Sequence, residues 1–405
     1  MIQSLISSAC PGLDHASVAC VNHYAAVLPL PFSRPSIPDG SVIPLANTSF
    51  NGTSVPDPSF DLVHQSVFVV FDRDRGLEIL GPEPTYEIVF DNVAEAVHEA
   101  PVYVPALNSI IVSTLSADVI PQSIIDLNYD PPTLKNYTTS PPIRGVNGGR
   151  FFDGTVYWVA GSGDFAFDGR EFRQVPGLYA LNPETREVKP ILNNYFGQLF
   201  NSPDDLTVDP QTGDIFFTDP WFGWALGLTD AVPVLRQNTY RFRPSTGAVS
   251  IIDTGIAQPN GIALSPDGKT LYISDTGIAN VSLDPATPIP RYGVSTTGPR
   301  SVYALDLVES PAGKRPSSRR PIYFTEDFID DGLHVAANGF ILGAAGFSVD
   351  VLSELGELLV KIQTDFYIQN LQFAGPDLDE LWLFGIGKIA RVRWSLKGQS
   401  GKSLG

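Results

Sequence analysis

Six oxygen-bearing side chains recur in one phase along the chain: Glu99, Asn147, Asp204, Asn260, Asp331 and Asn370. Each stands eight to ten positions ahead of a short apolar strand. If each marks the start of the innermost strand of a repeat, the six converge on a common centre. Carboxylates and amides without a cysteine or histidine among them are the ligand chemistry of a hard divalent cation, calcium rather than zinc or copper. Carboxylates crowded in a narrow channel repel one another unless a cation neutralises them. Taken singly, Glu99 or Asp331 also reads as a solvated strand end, and Asn260-Gly261 as a turn. Recurrence favours a shared site for Glu99, Asp204, Asn260 and Asp331. Asn147 and Asn370 are equally suited to bonding exposed backbone at a strand end. His334, three residues after Asp331, is placed to orient a water or a leaving hydroxyl, or else is a packed histidine. Asp219 and Asp275 close two of the strands and read first as turn-capping residues.

The strands that must position these groups form six matching runs: Ser109–Ser113, Thr155–Val159, Asp214–Thr218, Thr270–Ser274, Gly339–Gly343 and Glu380–Phe384. Each is β-branched or aromatic and follows a turn such as Asp153-Gly154, Asp209–Gly213 or Ser265–Lys269. A repeat of about 40–60 residues means propeller blades rather than independent domains. Further runs at 177–181, 239–242 and 302–306 read as outer hairpin strands. The expected fold is all-β, a six-bladed β-propeller over 61–395 with a central divalent-metal site. A Pro-rich N-terminal arm (1–60) precedes it and a flexible tail (396–405) follows. Pairing of Ser66–Phe71 with the last blade near Ile389–Trp394 is expected to close the ring and remove its free edges.

Composition agrees with many short strands and tight turns: 35 prolines, 36 glycines and 17% charged residues in 405. A formal net charge of −18 disfavours a nucleic-acid or anionic-membrane partner and suits a cation-collecting pocket. The one basic cluster, Lys314-Arg315 with Arg319-Arg320, reads as an exposed loop, and 115–145 as part of a pocket rim. No apolar run reaches the ~18 residues of a membrane span, and the N-terminus does not read as a signal peptide. Cys10 and Cys20 suit either a local disulfide or two thiols. Sequons at Asn47, Asn51, Asn136 and Asn280 tilt the expected location toward secretion. Oligomeric state is not legible.

At the recurrent residues the sequence resembles the SMP-30/gluconolactonase/LRE-like family, and within it the fungal lactonohydrolases, over most of 60–395. Phe200–Asp209 running into Phe216–Pro220, then Gln258–Asp275, and Asp331–Val335 carry the resemblance. It implies a six-bladed propeller, one bound divalent ion and hydrolysis of a lactone. Glu99 matches the family's first-blade glutamate, Asn260 the asparagine of its Pro-Asn-Gly motif, and Asp331 the aspartate of its Asp-Gly motif. Asp204 falls where many members carry asparagine, which leaves open whether it touches metal, water or substrate. The implied roles are Glu99, Asn260, Asp331 and Asp204 at the metal, Asp331 as general base, and Asn147, Asp204, Tyr103, His334 and Asn370 toward a small lactone. Metal-polarised attack by water is the implied mechanism.

No Gly-x-Ser-x-Gly elbow, metalloprotease histidine pair or phosphate-binding glycine loop is present. Two alternatives stay open: a related phosphoester or ester hydrolase on the same site, and a non-catalytic binding propeller with a structural ion.

Overall fold

The repeated runs become the second strands of six four-stranded antiparallel sheets. The computed structural model describes residues 4–7, 10, 12–13, 15–21, 27–42, 48–118, 120–163, 173–311 and 313–401. Blade 1 comprises Val97–Val104, Ser109–Thr114, Gln122–Asp126 and Thr133–Tyr137. Blade 2 follows with Val146–Phe152, Thr155–Ala160, Gly177–Leu181 and Val188–Leu192. Blade 3 is Leu206–Val208, Ile215–Asp219, Asn238–Arg243 and Ala248–Asp253. Blade 4 is Pro259–Leu264, Thr270–Asp275, Ser301–Val308 and Arg315–Phe324. Blade 5 opens with Leu333–Val335, Ile341–Ala344 and Gly346–Leu352. One long strand, Leu358–Ala374, is outermost in blade 5 by its first half and innermost in blade 6 by its second, where Glu380–Gly385 and Lys388–Arg393 follow. Each inner strand touches the next, and the sixth returns to the first, so the blades form a ring.

Strand periodicity explains the packing. In Thr155–Ala160, Val156 and Trp158 join a core with Val102 and Ile111 of blade 1. Their neighbours Tyr157 and Val159 pack with Leu206 and Phe217 of blade 3. The alternation repeats one blade on, where Phe217 faces blade 2 and Phe216 faces Ile262 and Leu271 of blade 4. Both faces of a second strand are therefore buried, which is why these runs are almost wholly apolar. Burying each such large side chain is worth about 1.5–3 kcal/mol.

Ring closure differs from expectation. Thr85–Asp91 pairs antiparallel with Lys388–Arg393 and supplies the outer strand of blade 6. Phe68–Val70 instead adds to the outer edge of blade 5 through Val360–Ile362, and Val18–Cys20 runs parallel beside it. The N-terminal arm is thus partly sheet. Cys10 and Cys20 are disulfide-linked with Cα atoms 5.7 Å apart, and Cys10 and Leu13 are fully buried. A short helix, Arg73–Leu80, is capped by Asp72, whose side chain accepts from Arg75 N, and ends at Gly81 with φ 67°.

The tail is packed as far as it is described: Gln399 Nε2 donates to the carbonyls of Leu264 (3.0 Å) and Val335 (2.9 Å). The basic cluster opens an outer strand rather than a loop, and Lys314 is buried against Asp209 at 2.9 Å. The segment 115–145 contains the two outer strands of blade 1, and among its described residues only Leu115 lines the cavity described next. Among the described residues no helix is long and apolar enough to cross a membrane.

Candidate functional site

Where the inner strands begin, five of the six recurrent residues, Glu99, Asn147, Asp204, Asn260 and Asp331, line one cavity of about 130 Å³. Local backbone features aim them there. The ladder of blade 1 slips on both sides of Glu99, and Ala100 takes φ 47°; such a bulge redirects a side chain. Asp204 and Asn260 follow short loops clamped by the carboxylates that close the neighbouring strands. Asp219 accepts from the backbone N–H groups of Asn201 (3.1 Å) and Ser202 (2.7 Å). Asp275 does the same for Ala257 (3.1 Å) and Gln258 (3.0 Å). Asp205 links blades 3 and 4 by accepting from Ile262 N at 3.1 Å.

A glycine follows Asn147, Asn260 and Asp331, and the structure gives the reason. A Cβ on Gly148 would lie 2.5 Å from the Asp204 carbonyl, one on Gly261 2.2 Å from the Asp331 carbonyl, and one on Gly332 2.6 Å from Asn370 Oδ1. Only glycine lets adjacent inner strands approach closely enough to bring the polar groups together.

The floor is paired around its rim. Asn147 Nδ2 donates to Asp204 Oδ1 (2.8 Å), and Asn370 Nδ2 to Glu99 Oε2 (3.0 Å). Asn260 hydrogen-bonds Asp331. Burial first, then the mutual repulsion of the carboxylates, holds Glu99 and Asp204 well above the usual carboxylate range. Asp331 is pushed up to about 7 by burial, against the hydrogen bond from Asn260 and with repulsion from Asp205.

Among the described residues, no group of three or more His, Cys, Asp or Glu side chains is drawn together as a metal centre. The oxygens left open nonetheless fit a hard cation. Asn147 Oδ1, Asp204 Oδ2 and Gln369 Oε1 are buried without hydrogen-bond partners, and their residues line the same cavity as Glu99 and Asp331. Unpaired buried acceptors beside carboxylates of raised proton affinity are the donor set that a divalent cation completes.

Three expected substrate residues lie elsewhere. Asn370 bonds Glu99, and its own Oδ1 accepts from Leu371 N at 2.9 Å, so it braces the floor from behind. Tyr103 and His334 line a separate cavity of about 520 Å³ at the far ends of the inner strands. Strand rise accounts for this, since three or four residues at ~3.3 Å each carry a side chain roughly 10 Å or more down the channel. The Tyr103 hydroxyl donates to Asn108 Oδ1 at 2.9 Å. Arg150 Nη1 donates to His334 Nε2 at 2.9 Å, and its Nη2 to the Leu333 carbonyl at 2.8 Å. Burial and this guanidinium hold His334 well below its usual value, so the ring is neutral.

Sequence reasoning missed the wall above the floor. Phe222 and Leu226 come from a helical turn after the second strand of blade 3, Phe222–Ala225. Tyr292 comes from a hairpin inserted in blade 4, Ala279–Val281 with Tyr292–Val294. Phe328 and Ile329 precede Asp331, and Val42 comes from the N-terminal arm. The pairing of Asp219 and Asp275 at equivalent strand ends was visible as a repeat; the wall residues follow no repeat.

Comparison with known proteins agrees with this architecture. Residues 147–287 match the family model described as SMP-30/Gluconolactonase/LRE-like region. Lactonohydrolase oryL of Aspergillus oryzae is 38% identical over 98% of this chain and 89% of its own length. Lactonohydrolase oryH of the same fungus is 36% identical over 96% and 93%. A gluconolactonase structure from Xanthomonas campestris superposes with a TM-score of 0.62 at 20% identity, covering 89% of this chain and 99% of that one. The chain belongs to the SMP-30/gluconolactonase/LRE-like family and is a close homologue of the Aspergillus lactonohydrolases.

Proposed function

We propose that this protein is a metal-dependent lactonase that opens a small lactone to its hydroxy acid, with calcium as the ion and Asp331 as general base. The observation that carries the reading is the cavity floor, where open amide and carboxylate oxygens sit among Glu99, Asp204 and Asp331. Family membership supplies the reaction class. A divalent cation bound there supplies Lewis-acid polarisation of the lactone carbonyl.

The chain's own groups do the rest. Glu99, Asn260, Asp331 and Asp204 hold the ion, with Asn370 fixing the Glu99 carboxylate through its 3.0 Å hydrogen bond. Asp331 accepts the proton of the attacking water, since a cation beside it keeps this carboxylate ionised and able to act as a base at neutral pH. The same proton then reaches the departing ring oxygen, so that ester cleavage releases one carboxylate and one hydroxyl. Asn147 fixes the Asp204 carboxylate through its 2.8 Å hydrogen bond, and its open Oδ1 adds an acceptor to the floor. The wall limits bulk water, which strengthens every polar contact at the floor.

Release of acid from a panel of γ- and δ-lactones, followed by pH-stat with calcium present, tests the reading. Turnover of at least one lactone above the uncatalysed rate is expected. Hydrolysis of phosphoesters alone, or calcium binding with no turnover of any ester, would overturn it in favour of a different hydrolase or a binding propeller.

A further inference from the structure

Resting on the lactonase reading, we propose that the substrate is a small lactone whose ring carries hydrocarbon, an alkyl-substituted γ- or δ-lactone, rather than a polyhydroxylated sugar lactone. The cavity is divided by chemistry. Its polar groups lie at the floor, where Glu99 is bonded to Asn370, Asp204 to Asn147 and Asp331 to Asn260. Above them, Phe222, Leu226, Tyr292, Phe328, Ile329 and Ile386 line the walls. The Tyr292 hydroxyl is spent on the carbonyl of Val42 at 2.7 Å, leaving its ring to the wall. Gln369, whose oxygen is an acceptor, and Tyr367, with one hydroxyl, are the two further polar side chains lining the cavity.

A lactone binds with its ester over the polar floor, so the carbons away from the ester meet the wall. Several hydroxyls on those carbons would lose water and find only Gln369 and the Tyr367 hydroxyl as partners beyond the floor, which disfavours a polyhydroxylated ring. Methylenes there gain by burial. Size sets a second limit, because about 130 Å³ is well below the ~300–1,000 Å³ of sites for drug-sized ligands. A single small ring with a short chain fits and a macrolactone does not.

The wall is built, not loose. Arg291 N donates to the Ala225 carbonyl (2.7 Å), Arg291 Nη1 to the Trp224 carbonyl (2.9 Å), and its guanidinium lies 3.8 Å from the Trp224 ring centre. The N-terminal arm then straps the hairpin through Gly40 N to the Val294 carbonyl and Val294 N to the Ser41 carbonyl, both at 2.8 Å. Three segments remote in sequence thus fix one apolar surface, which is the arrangement of a specificity wall.

The test compares kcat/KM for δ-octalactone, δ-valerolactone and glucono-δ-lactone with calcium present, together with calorimetric binding of two hydrolysis-resistant lactams, one alkyl-substituted and one polyhydroxylated. We expect δ-octalactone to exceed glucono-δ-lactone by about 100-fold or more. Phe222→Ser and Leu226→Ser, each with its melting transition checked, are expected to shrink the δ-octalactone to δ-valerolactone ratio about tenfold. Preference for glucono-δ-lactone, or tighter binding of the polyhydroxylated lactam, would overturn the inference and leave the lactonase reading intact. Tighter binding of the alkyl lactam with no lactone hydrolysed would overturn the lactonase reading and uphold the apolar wall.

Discussion

Asp331 carries the most specific chemical role, and its surroundings set how it responds to pH. Its pKa of about 7 in the metal-free protein means that the folded state holds a proton the unfolded chain has released between about pH 4 and 7. Stability without metal therefore falls as pH rises through that window. Glu99 and Asp204, also held high, act in the same direction. Cation binding needs these groups ionised, so the gain in Tm at saturating calcium should be larger at pH 8 than at pH 5; at a hundredfold excess over Kd it is worth about 2.7 kcal/mol. A calcium effect that shrinks with rising pH would contradict this assignment of the floor. Asp331→Asn keeps an oxygen for the ion but cannot take a proton, and is expected to lower kcat by about 10²–10⁴-fold with the fold retained by circular dichroism. The convergence of the floor residues was legible because each repeat places one oxygen-bearing residue in the same phase. The placement of Tyr103 and His334 was not, since spacing along a strand gives no hint of which end of the channel bears the chemistry.

At the scale of elements, the site depends on inner strands that approach without side chains between them. Gly261→Ala would set a methyl 2.2 Å from the Asp331 carbonyl and 2.7 Å from Leu333 N. Because both obstacles are backbone, this variant is expected to lose about 1–3 kcal/mol in a denaturant titration and to bind calcium more weakly. An unchanged midpoint would mean that blades 4 and 5 have room to move apart. The second strands were readable because burial on both faces leaves an apolar run such as Val156–Val159. The helix Arg73–Leu80 was not, being too short to show a period, and the wall hairpin was hidden in an insertion of turn residues between two strands of blade 4.

The whole molecule is a ring closed by one early strand, and closure makes the blades unfold together. Ile88 lies mid-strand opposite Ala390, within a seam also tied by Arg391 Nε to Glu87 Oε1 at 2.8 Å. Ile88→Pro would constrain the backbone in the middle of this pairing, and its thermal unfolding is expected to remain a single transition at lower temperature. A split into two transitions would show that the blades melt separately. Sequence pointed to Ser66–Phe71 for this role because it is the more apolar run. That choice inverts the physics: Phe68–Val70 is fully buried because N-terminal strands cover it, whereas Thr85–Asp91 is half exposed, as an outermost strand must be.

All three scales meet in one experiment: hydrolysis of the best lactone by the wild-type protein and by Asp331→Asn, measured before chelation, after chelation and after calcium is restored. The account predicts wild-type turnover that vanishes on chelation and returns with calcium, and a variant that regains thermal stability with calcium but not activity. Turnover that survives chelation, or an Asp331→Asn protein as active as wild type, would contradict it.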